Sequence, residues 1–189
     1  MLVVCEDTKS GKTYLEEAVT YYRVTVEVEV VHTGNTDPVG IVRKAIKRKR
    51  EFDIVYCAID WDGRPALDTA KTIAASHTNV VIIDSYPCFE YWLLLHDRYA
   101  RRPYVREGER SPAACLLHDL KQIEAFKNYS KGTSHGLFGE LIAHLPTASN
   151  HAARALKEAE ETQEPNPSTK CHILIKEFQS LAKVMPAEE

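Results

Sequence analysis

The sequence predicts an α/β fold: a parallel four-stranded sheet flanked by helices, with a helical C-terminal extension. Three observations lead there. Short apolar runs rich in Val and Ile recur at residues 1–5, 24–31, 53–59 and 79–83. Segments with apolar residues at helical spacings of three and four separate them. Strands that alternate with helices in this way are joined by crossovers, and crossovers make a sheet parallel.

The elements follow in order. Met1–Cys5 is a continuous apolar run, as in a strand buried on both faces. After a polar break, Leu15, Ala18, Val19 and Tyr22 form one helical stripe. Residues 24–31 alternate with period two and predict a half-exposed strand near a sheet edge. Asp37-Pro38 is an N-cap followed by proline at the first helical position, opening a helix to about Arg50. Asp53–Ile59 is a buried strand ending in Asp60-Trp61-Asp62-Gly63. Pro65 opens the next helix, and Asn79–Ile83 is the fourth strand. From Pro87 on the patterns are helical: about 87–100, 112–127, 134–145, 149–162 and 169–183. A charged loop covers 101–111, and a proline-bounded turn covers 163–167. The division predicted is an α/β core over 1–84 and a helical extension over 85–189, packed as one unit.

Composition narrows the function classes. The chain has 189 residues, 44% hydrophobic and 27% charged, which excludes a disordered or fibrous protein. Its net charge is −3, so any nucleic-acid binding needs a local basic patch or metal ions. No apolar run is long enough to cross a bilayer. Residues 1–5 lead directly into Glu6 and Asp7, without the pattern of a secretory signal. Five scattered cysteines, never in a C-x-x-C pair, predict reduced thiols and a cytoplasmic location.

In an open parallel sheet, sites form at the carboxyl ends of the strands. Glu6, Asp60 with Asp62, and Asp84 with Ser85 fall there. If the first and third strands are neighbours, Glu6, Asp60 and Asp62 converge, and a hard divalent cation relieves their repulsion. The simpler alternative makes Glu6 a strand terminator and Asp62 a helix cap. Two other motif readings fit less well. Ser10-Gly11-Lys12-Thr13 matches the end of a P-loop, but Glu6 occupies the position of its first glycine. Asp60-Trp61-Asp62-Gly63 matches the opening motif of haloacid-dehalogenase-like phosphatases, but it comes late in the chain and no acidic pair follows the fourth strand.

Taken together, the segments Val4–Ser10, Ile59–Asp62 and Ser85–His96 (SYPCFEYWLLLH), with Tyr129-Ser130-Lys131 and Asn166–Thr169, resemble the RloB-like family of Toprim-type proteins. The resemblance implies a Toprim-like sheet and a Mg²⁺ (or Mn²⁺) nuclease site acting on nucleic acid, DNA or RNA, in prokaryotic defence. It also implies a partner protein such as an ATPase encoded nearby. By that resemblance Glu6 handles the proton, Asp60 and Asp62 hold metal, and Glu90 is a further catalytic or metal-site carboxylate. His96, Asn166 and Ser168 are supporting residues. Many relatives carry C-E-G and D-R-D where this chain has Cys5-Glu6-Asp7 and Asp60-Trp61-Asp62. The alternative, from another functional class, is a non-catalytic Toprim-type module that binds a nucleotide or nucleic acid.

Two basic groups complete the set. Arg43–Arg50 places six cations in eight residues, with Lys47, Arg48, Lys49 and Arg50 as phosphate contacts, or else as a solvated helix end suited to the dipole. Arg101 and Arg102 belong to the charged loop, and Lys131 to a third group.

Overall fold

The computed structural model describes residues 1–6, 10–24, 29–32, 37–61, 63, 65–132 and 135–182. Asp62, expected as a metal ligand, lies outside them.

The sheet order is β2-β1-β3-β4-β5, with β1 at Leu2–Cys5, β2 at Glu29–His32, β3 at Val55–Asp60, β4 at Val80–Tyr86 and β5 at Ser168–Thr169. The first four strands are parallel, as expected, and β2 is an edge. The fifth corrects the expectation. Ser168 and Thr169, read as a turn and helix cap, pair antiparallel with Tyr86 and Ser85, making the sheet mixed. A two-residue strand has no apolar run to announce it. It forms because it completes the edge of β4, and Lys170 N–H donates to the Asp84 carbonyl at 3.0 Å. The cap also exists: Thr169 Oγ1 accepts from Cys171 N–H at 3.2 Å.

Strand residues alternate between two cores. Leu2, Val4, Val55, Cys57 and Ile59 face α2 (Pro38–Arg48) and α3 (Ala66–Ala75). Val3, Cys5 and Tyr56 face α1 (Ser10–Tyr21) and the C-terminal helices. Those helices are α4 (Glu90–Leu94), α5 (Pro112–Leu120), α6 (Leu137–Leu141), α7 (Leu145–Thr162) and α8 (Cys171–Ala182). Ile83, Trp92 and Phe178 share that second core, so the C-terminal half covers one face of the sheet. The expected caps are present at α2, where Asp37 accepts from Gly40 N–H at 3.0 Å and Pro38 opens the helix.

The helix expected over 87–100 is only five residues of α-helix. All five are buried, and the chain then leaves through tight turns at 95–97. The patterns at 112–127 and 134–145 each break into an α-helix and a short 3₁₀ segment, Glu124–Phe126 and Ile142–His144. All five cysteines are buried thiols outside any disulfide. Among the described residues, no helix is long and apolar enough to cross a membrane.

Candidate metal centre

The centre sits at the carboxyl ends of β1, β3 and β4. Register places Cys5 beside Ala58 and Asp60 beside Ser85. Glu6 therefore emerges next to Asp60. Its Oε2 accepts the backbone N–H of Asp60 at 3.0 Å, and the residue is 7% exposed. Asp60 in turn accepts the N–H of Phe89 on Oδ1 at 2.9 Å, tying the segment after β4 to the end of β3.

That tether brings Glu90 into the site. Asp60, Cys88 and Glu90 each offer a ligand atom within 4.8 Å of the others. Glu90 is fully buried, and its carboxylate is held from two sides. Tyr129 O–H donates to Oε1 at 3.0 Å, and Lys131 Nζ lies 3.2 Å from Oε2. The Lys131 contact is an ion pair to a buried carboxylate oxygen. Burial alone pulls the Lys131 ammonium down, but the negative charges of Glu90 and Asp60 outweigh it and hold its pKa above the usual lysine value. Burial pushes the Cys88 thiol well up, and Glu90 and Asp60 add to this, so Cys88 is a neutral thiol.

Two carboxylates with oxygens this close fit a hard divalent ion. Metal–oxygen bonds of roughly 2.1 Å put opposite ligands about 4.2 Å apart. The thiol does not suit Mg²⁺. Asp60 and Glu90 are therefore the residues that would hold the ion. Ser85, Phe89 and Cys171 join Glu6 and Asp60 around a cavity of about 30 Å³ beside them, room for about one water.

A family model described as RloB-like protein matches residues 1–178. The chain belongs to this RloB-like family. Comparison with curated proteins and with solved structures finds no match.

The other residues singled out in this RloB-like chain lie away from the carboxylates or serve the fold. His96 is 3% exposed, with Nδ1 2.9 Å from the Trp92 carbonyl and Nε2 3.4 Å from Tyr14 Oη. Burial lowers its pKa to about 4, so it is a neutral core group linking α1 to α4. Asn166 brackets Tyr104, accepting its N–H at 3.3 Å and donating to its carbonyl at 2.6 Å. Arg101 donates to the carbonyls of Pro167 and Glu164, pinning the turn before β5. Arg102 is exposed and lies 3.6 Å from Asp119.

The run Lys47–Arg50 stands at the other end of the sheet. The Lys49 carbonyl accepts from the Asn79 side chain, just before β4, at 2.9 Å. The length of β3 puts this end roughly 17 Å from Asp60. Arg48 lies 5.1 Å from the Phe52 ring centre and pairs with Glu51, and Lys49 Nζ is 2.9 Å from His77 Nδ1.

Cys88 and Tyr129 are site residues that spacing did not reveal. Both lie in segments that carried the family resemblance, which was the only sequence signal for them.

Proposed function

We propose that this chain is a divalent-metal-dependent nuclease with a Toprim-like core, cleaving nucleic-acid phosphodiesters in prokaryotic defence. The observation that carries the reading is the approach within 4.8 Å of Asp60, at the end of β3, and Glu90, at the start of α4, in a chain of the RloB-like family. A bound Mg²⁺ or Mn²⁺ would activate a nucleophile and stabilise the leaving oxygen. Asp60 and Glu90 would hold it, Asp62 being a further candidate. Glu6 handles the proton in this reading, and its bond to the Asp60 N–H gives it a positioning role as well. The substrate is DNA or RNA, the location cytoplasmic, and the partner an ATPase encoded nearby.

One observation favours the non-catalytic alternative: Glu6 is spent in part on backbone, as a structural carboxylate would be. The two readings separate on incubating the protein with labelled DNA, bulk RNA and tRNA, with Mn²⁺ or with a chelator. The nuclease reading expects metal-dependent cleavage of one class. It also expects Glu6→Gln to slow that cleavage by roughly 10²–10⁴-fold, the usual contribution of an acid–base group. Stable binding with no cleavage of any class would favour the binding module.

A further inference from the structure

Resting on the metal-site reading above, we infer that Lys131 is a built-in counterion, which a divalent cation displaces from Glu90 when the centre is loaded. The released ammonium then faces the phosphate that the centre receives.

Four features of the site carry this. Lys131 reaches the same Glu90 oxygen, Oε2, that would be offered to an ion, at 3.2 Å. Asp60 brings a second carboxylate within 4.8 Å of Glu90, so a divalent ion has two carboxylates to bind where the lysine pairs with Glu90. Tyr129 holds the other oxygen independently, so the carboxylate keeps its place when the lysine leaves. The Lys131 side chain is 38% exposed and belongs to a turn at 131–132, so its ammonium has a way out to solvent.

Charge gives the exchange a function. The incoming ion carries two positive charges where Lys131 carried one, and the displaced ammonium stays nearby to face the phosphate. Loading thus makes the centre more attractive to a phosphodiester, which orders the events as metal first, nucleic acid second.

The test is a calorimetric titration with Mn²⁺ alone, on the full chain and on Lys131→Met. Removing the competing charge should tighten Mn²⁺ binding about tenfold or more, while metal-dependent cleavage falls. Lys131→Gln is a second neutral variant should the Met variant fold poorly, and Lys131→Arg, which keeps the charge, should bind Mn²⁺ no more tightly than wild type. A lysine with a merely structural role would not raise metal affinity when removed. Saturable binding in wild type, with equal or weaker binding in both neutral variants, overturns this inference alone. No saturable binding in any of the proteins overturns the metal reading and this inference with it.

Discussion

Two clusters of buried carboxylate and lysine lie on either side of β4, and they balance charge in opposite ways. On the α3 side, Asp84 is 3% exposed and meets two ammoniums, Lys71 at 2.6 Å and Lys170 at 2.9 Å. Lys71 also donates to Tyr86 Oη at 2.8 Å. On the other side, Glu90 meets Lys131 at 3.2 Å, with the Asp60 carboxylate within 4.8 Å of Glu90. The first cluster carries one positive charge and ties α3 and the β5 edge to the middle of the sheet. The second sets two carboxylates beside Lys131, a grouping that suits a divalent cation. Register pairs Asp84 with Ile59 and Asp60 with Ser85, and alternation sends successive side chains of a strand to opposite faces, so the two carboxylates serve opposite sides of the sheet.

The comparison can be broken most sharply at Glu90. Glu90→Gln keeps the shape but removes one of the two charges facing the proposed ion. Metal-dependent cleavage should fall by about 10³-fold or more, with thermal unfolding close to wild type, as measured by initial rates and by circular dichroism melts. A variant that cleaves normally would reduce Glu90 to a partner for Tyr129.

A smaller effect, on stability instead of chemistry, is expected at Asp84. Burial opposes its ionisation, but Lys170 and Lys71 outweigh this and hold its carboxyl below the usual range. Its folded pKa is therefore lower than its unfolded value, so its contribution is fully present above about pH 4 and is lost as pH falls through the folded pKa. Asp84→Asn should cost about 1–3 kcal/mol at pH 7. That is less than for a fully buried pair, since Lys71 and Lys170 are 36% and 31% exposed and solvent screens them. The loss should shrink toward pH 3, and urea melts at both pH values measure it. An equal cost at both would remove the ion pairs from the account.

The smallest effect is expected at the far end of the sheet. Lys47 and Arg50 are exposed there, away from the centre. Replacing both with Ser should leave the cleavage rate within about twofold and the salt dependence of nucleic-acid binding unchanged. A shallower salt slope would show that these residues contact phosphate.

What the sequence disclosed follows the same division. Strands β1, β3 and β4 were legible because each needs an apolar run to fill two cores, and their order put Glu6 and Asp60 at strand ends. The β5 pairing was not, because Ser168 and Thr169 gain their place from the exposed edge of β4 and from no pattern of their own. Glu90 entered by family resemblance, since a carboxylate in a first helical turn is otherwise unremarkable. Its meeting with Asp60 depends on a backbone bond at Phe89, which no spacing rule encodes. Arg101 looked like a phosphate contact from its charge, yet its donors go to backbone carbonyls that only the fold brings near.

The central claim is that the negative cluster takes a divalent cation. Titrating Mn²⁺ into the protein, with free ion followed by electron paramagnetic resonance, tests it most directly when wild type is set beside Asp60→Asn. The account predicts saturable binding in wild type and at least about tenfold weaker binding in the variant, with the fold intact. Mn²⁺ affinity that is unchanged in Asp60→Asn would contradict it.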